Sequence, residues 1–145
     1  MTIVELPPNI QEFNEITAII FAQLYSEHPL TKDLDIDEVA KVLGRSATET
    51  LPSGRNFKDV FAHTLSWLIF QRYVYPNGNF PRERVQLTDK ALFAMNVVPP
   101  SLNKSRGAEL VEASKSASTT SGREWVGQII SSITEGVTKA MMGGG

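Results

Sequence analysis

RYVYPNGNFPRERVQLT, residues 72–88, is the stretch on which the reading of this chain turns. Two short runs rich in β-branched and aromatic residues flank a segment holding Pro76, Asn77, Gly78 and Pro81, the composition of a β-hairpin with a turn at its tip. The spacing predicts a strand over 73–75, a tip over 76–81 and a returning strand over 84–87. The hairpin carries three arginines, Arg72, Arg82 and Arg84, against one acid, Glu83. Side chains alternate across a strand, so Arg82 and Arg84 share a face and Glu83 points away. Placed that way, the two arginines could touch a single phosphate backbone. The alternative is a solvated edge whose charges oppose strand-to-strand aggregation.

Upstream lies NFKDVFAHTLSWLIFQR, residues 56–72, which has the strongest helical pattern in the chain. Phe57, Val60, Phe61, Leu65, Leu68 and Ile69 form its core stripe. Trp67 and Phe70 extend apolar character around the C-terminal half, which predicts burial on more than one side. The polar segment 45–55, with Pro52 and Gly54, reads as a loop. Before it, Asp35 opens a shorter helix with Ile36, Val39, Ala40 and Leu43 inward, and Gly44 is suited to end it in a left-handed conformation. A first helix is expected from Asn9, taken as its N-cap with Glu12 three residues on, and Ile10, Phe13, Ile16, Ile19, Ile20 and Leu24 repeat at helical spacing until Pro29 stops it. Downstream of the hairpin, Thr88 caps a fourth helix, DKALFAMN, and Pro99-Pro100 close the unit.

The order helix, helix, helix, strand, basic tip, strand, helix resembles a winged helix-turn-helix domain. The most specific part is residues 64–96, TLSWLIFQRYVYPNGNFPRERVQLTDKALFAMN, which looks like the corresponding stretch of bacterial regulators of the MarR and PadR type. There an apolar helix runs into a hairpin and an "LT.kG" element opens the next helix; here that element is Leu87-Thr88-Asp89-Lys90-Ala91, with alanine in place of the usual glycine. A second departure is the eleven-residue loop over 45–55, where a helix-turn-helix uses about 3–4 residues. The resemblance covers roughly residues 10–98 and implies a protein that binds duplex DNA. Helix three would then present Arg55, Asn56, Lys58, Asp59 and His63 to the major groove, where arginine and asparagine discriminate base edges. The wing arginines Arg82 and Arg84 would position the protein on phosphate.

Beyond residue 100 the composition changes. Residues 101–122 contain the run SASTTSG and read as a linker, with GAELVEASK as a possible short helix. Residues 123–142 are again periodic, with Val126, Ile130, Ile133 and Val137 on one seam and Trp125 and Ile129 widening it. A seam of this kind must be covered, by the chain's own domain, by a second copy or by a partner protein. Burying about four aliphatic side chains, each contributing about 1.5–3 kcal/mol, is enough to hold a dimer, and a dimer suits a reader of paired half-sites.

The expected fold is therefore mainly α with a small β-hairpin: a winged helix domain over 1–100, a linker over 101–122 and a C-terminal amphipathic helix over 123–142. Composition narrows the function classes. Net charge is −2, but residues 1–40 carry eight acids and one base, whereas residues 41–90 carry eight bases and four acids. That asymmetry can mark a basic face. Cysteine is absent, which removes disulfides and thiolate chemistry and fits a reducing cytoplasm. The N-terminal stretch lacks the features of a secretory signal, and the run AIIFA over 18–22 is far shorter than the ~20 apolar residues of a membrane span. His28 and His63 have no metal-ligand spacing around them, and no nucleophile elbow, phosphate loop or zinc-protease motif occurs. No metal, cofactor or catalytic role is expected. The two functional expectations are a dimeric DNA-binding regulator and a non-catalytic adaptor that binds proteins within a larger complex. A contiguous positive surface over Arg55, Lys58, Arg82 and Arg84 favours the first, and an acidic or apolar one the second.

Overall fold

A computed structural model describes residues 6–76, 84–97 and 104–141, the last seven for their backbone alone. Among the described residues the fold is mainly helical with a three-stranded antiparallel sheet. The order is α1 (Pro8–Glu27), β1 (Lys32–Asp33), α2 (Ile36–Val42), α3 (Phe57–Phe70), β2 (Val74–Pro76), β3 (Arg84–Leu87), α4 (Asp89–Met95), α5 (Arg106–Ser114) and α6 (Thr120–Met141).

α1 is the axis of the molecule. Every residue from Ile16 to Ala22 is buried, so this segment meets protein all round, as a continuous apolar run requires. α3 and the sheet lie against α1, as do α5 and α6, which make its most extensive contacts. The helix starts earlier than the sequence predicts: Pro7 occupies the N-cap position without a side-chain cap, and Pro8 stands at the first helical position, where its missing N–H costs nothing. Glu12 is then free of the expected capping box. It is 3% exposed and accepts a hydrogen bond from the Ser53 amide at 2.8 Å, which ties α1 to the loop before α3.

Asp35 caps α2 by accepting from the Asp37 amide at 2.9 Å, and Gly44 turns the chain at φ 70°. A Cβ at Gly44 would lie 2.5 Å from the Ser118 carbonyl oxygen, so glycine here meets both the backbone angle and a close approach. β3 is the central strand, with Val74 opposite Leu87 on one side and Lys32 opposite Val85 on the other. β1, unanticipated from the sequence, thus makes the expected hairpin into a three-stranded sheet. The tip, with Arg82 and Glu83, lies outside the described residues.

The segments after residue 100 pack on the same core as the earlier helices. The short helix expected over GAELVEASK forms as α5, with Leu110 and Ala113 buried, as is Ala117 beyond its end. Its Gly107 faces the Tyr25 ring of α1, and the Tyr25 hydroxyl bonds Asn96 at 2.9 Å and Ser105 at 3.1 Å. α6 lays its seam on α1: Val126, Ile129, Ile130 and Ile133 are all at most 4% exposed and belong to the same core as Ile16 and Ile20. Four of the six residues assigned to dimerisation are therefore enclosed within the chain. Trp125 stays 40% exposed, and the side chain of Val137 lies outside the described part.

An ionic joint fastens the two ends of this arrangement. Glu15 on α1 lies 3.7 Å from Arg45 and 3.8 Å from Arg123, and Arg123 also donates to the carbonyls of Leu43 and Ser118. Burial raises the Glu15 carboxyl above the ordinary carboxylate range, outweighing the two guanidinium groups that pull it down.

Candidate functional site

The residues assigned to DNA contact separate into three environments. Arg55 and His63 line a groove of about 490 Å³ between α1 and α3, together with Asn9, Ile10, Phe13, Asp59, Val60, Thr64 and Trp67. Lys58 lies on the other side of α3, in a groove of about 560 Å³ shared with Asp33, Asp35 and the apolar Leu34, Phe61 and Leu65. Arg84 pairs with Asp33 at 3.1 Å across the β1–β3 register. Both partners of that pair are more than half exposed, so it contributes little to stability, but it sets an acid beside the cation meant for phosphate.

Asn56 is not available to read a base. Its side-chain oxygen accepts from the Lys58 amide at 2.9 Å as the N-cap of α3, and its amide donates to the Thr48 carbonyl at 3.3 Å. Helix N-caps select asparagine for this local bond. Lys90 is likewise occupied: its ammonium donates to the Gln71 carbonyl at 3.0 Å and sits 4.2 Å from the centre of the Tyr73 ring. Arg84 and Lys58 thus lie beside Asp33 and Asp35, while Arg55 lies in the other groove with Asp59.

Apolar groups are what α3 brings to the surface. Trp67 and Phe70, expected in the core, are 44% and 81% exposed. Trp67 is nonetheless fixed in place: Phe13 meets it edge-on at 5.1 Å between ring centres, and Tyr73 stacks on it at 6.2 Å with 15° between planes. Ile10, on the facing wall, is 40% exposed. Successive turns of α3 present Val60, Thr64 and Trp67 to the groove, and Arg55 with Asp59 supplies charge at its other end. The helical spacing of Ile10 and Phe13 marked them as stripe residues, and Trp67 as an extension of the α3 stripe, without saying that the groove between their helices would stay open. Their one legible signal is the surplus of aromatic side chains on α3 beyond a single stripe.

Among the described residues no group of three or more histidine, aspartate and glutamate side chains is arranged to hold a metal, and no helix is long and apolar enough to cross a membrane. Compared with family models, characterised proteins and solved structures, the chain matches none.

Proposed function

We propose that this chain is a non-catalytic interaction module that docks a partner protein in the groove between α1 and α3. One contrast carries the reading: the exposed Ile10 and the braced Trp67 stand together on one side of α3, while of the described cations Lys58 lies beside Asp33 and Asp35, and Arg84 beside Asp33. A large aromatic already held by two rings offers contact area with little rotamer entropy left to lose, the property of an interface anchor. Phosphate recognition draws instead on contiguous cationic groups whose charge is uncompensated.

A duplex DNA reader of winged helix type is the second reading. What favours it is connectivity: α3 leads directly into the β2–β3 hairpin, and β1 joins that hairpin as its third strand. Arg82 and Arg84 would then act as wing contacts.

Fluorescence anisotropy with a labelled random duplex separates the two. The module reading expects no saturable binding even at low salt. Binding that falls steeply with added salt, and whose salt slope is reduced by Arg82→Ala with Arg84→Ala, would overturn it in favour of the DNA reader.

A further inference from the structure

We infer that the α1–α3 groove binds a small zwitterion carrying an apolar ring, the chemistry of a free aromatic α-amino acid. What carries the inference is a set of polar side chains left without partners. Asn9, Arg55, Asp59, His63 and Thr64 line the groove, and among the described residues none of the five makes a side-chain hydrogen bond or an ion pair. Four of them are exposed and water serves them. Thr64 differs, because it is 3% exposed. A threonine within a helix commonly turns its hydroxyl onto the carbonyl one turn back, as Thr134 does on Ile130 at 3.2 Å. Thr64 makes no such bond to Val60, and an enclosed hydroxyl without a partner is unfavourable unless an occupant of the groove supplies one. The polar residues of the second groove are spent inside the protein instead, Asp33 on Arg84 and Asp35 on the α2 cap.

The polar and apolar walls are ordered along α3. Asp59, His63 and Trp67 fall in one row at four-residue spacing, with Val60 and Thr64 in the row beside it. Arg55 precedes the helix at the Asp59 end. The two charges at that end are opposite and do not pair with each other, so neither a simple anion nor a simple cation satisfies both. A ligand with a carboxylate and an ammonium on one carbon does. The guanidinium fork takes the carboxylate in two parallel bonds, and Asp59 accepts from the ammonium. A free α-amino acid has that head, whereas within a peptide chain both groups are consumed in amide bonds.

The rest of the groove suits a ring. From Asp59 to Trp67 α3 rises ~12 Å at 1.5 Å per residue, and the indole leans back towards the helix start as helical side chains do, which narrows the gap to one head group and one ring. Phe13 and Val60 line the space between, with Thr64 beside them. Tyr73 stacks on Trp67 but is not among the groove walls, and the indole remains 44% exposed, open to a second ring. A volume of about 490 Å³ lies within the range of small-molecule sites. The inference goes beyond the module reading and does not depend on it. Where both hold, amino acid and partner protein compete for one groove, and the ligand regulates docking.

The test is isothermal titration calorimetry of the full chain with L-phenylalanine and L-tryptophan, set against phenethylamine, which lacks the carboxylate, and 3-phenylpropionate, which lacks the ammonium. Saturable binding of one amino acid is expected for at least one of the two, with each truncated analogue weaker by about 10-fold or more, the effect of losing a hydrogen-bonded charge. Arg55→Gln should abolish the preference over phenethylamine, and Asp59→Asn the preference over 3-phenylpropionate. Both change exposed side chains, and circular dichroism checks that the fold is kept. No saturable binding of either amino acid, analogues that bind the wild type equally well, or preferences that both variants leave intact would each overturn the inference. The module reading would survive any of these results, since a partner protein can use the groove without a small ligand, and the duplex measurement tests it separately.

Discussion

Replacing Ile130 by alanine tests whether the apolar seam of α6 is an internal or an intermolecular surface. Ile130 is 1% exposed and lies between Val126 and Ile133, which are equally enclosed, on the helix that packs most extensively on α1. Truncation to alanine removes three buried carbons and leaves a cavity that rigid neighbours fill only in part, a change that costs about 2–5 kcal/mol in comparable cores. Taking about 3 kcal/mol with a urea dependence of ~1–3 kcal/mol per molar, the unfolding midpoint should fall by about 1–3 M. For a chain of this size the same loss lowers the melting temperature by about 6–12 °C. The assay is urea unfolding followed by circular dichroism at two protein concentrations tenfold apart, with Gln128→Ala, on the exposed side of the same helix, as a control expected to stay within about 0.5 kcal/mol. An internal seam gives midpoints independent of concentration for wild type and variant. A loss below about 1 kcal/mol, or a wild-type midpoint that rises with concentration while the variant's does not, would refute the internal packing and return α6 to a dimer interface.

Three other perturbations probe single joints of the structure. Asn56→Ala removes the α3 cap and should cost about 1 kcal/mol in the same unfolding assay; a neutral result would mean that the bond to the Lys58 amide is not what selects asparagine. Gly107→Ala places a Cβ 2.0 Å from the Tyr25 ring, and displacing that ring with its bonds to Asn96 and Ser105 should cost about 1–3 kcal/mol, readable as a fall in melting temperature. For Glu15, burial raises the folded pKa above the ordinary value of 4.5, so the native state binds this proton more tightly than the unfolded chain. Its contribution is therefore unfavourable above the folded pKa and is relieved as pH falls from that value to the unfolded one. Glu15→Gln should remove this rise in stability on mild acidification, and a variant with the wild-type slope in that window would assign the slope to another group.

Local rules made the helices and their ends legible where one residue has one job. Asp35 and Thr88 cap α2 and α4 as their side chains predict, and Gly44 takes the left-handed turn. Asn9 and Asn56 show where such rules stop. Asn9 has the right chemistry for a cap, but Pro7-Pro8 fixes a helix start before it, and Asn56, expected to contact a base, is the cap of α3. The ionic pattern was legible only along the chain. The excess of bases over 41–90 is real, yet Asp33 and Asp35 come back beside Arg84 and Lys58 and offset part of it in space. β1 itself is two residues long, too short for alternation to announce it, and exists because β3 offers it a free edge.

The misplacement of α6 and of Trp67 has one physical origin. Periodicity tells which side of a helix is apolar, but the partner that covers it is decided by which helix can be covered on every side. AIIFA within α1 cannot be amphipathic, so α1 must be enclosed, and enclosing it takes more apolar surface than α3 and the sheet supply. α5 and α6 furnish the rest, which consumes the seam that looked available for a second copy. Coverage stops short of the start of α1, where Leu6 and Ile10 remain partly exposed, and Trp67 and Phe70 stay exposed on α3. Exposed apolar side chains thus meet at the α1–α3 groove, where Ile10 faces Trp67, and a partner that uses hydrophobic contact has a foothold there.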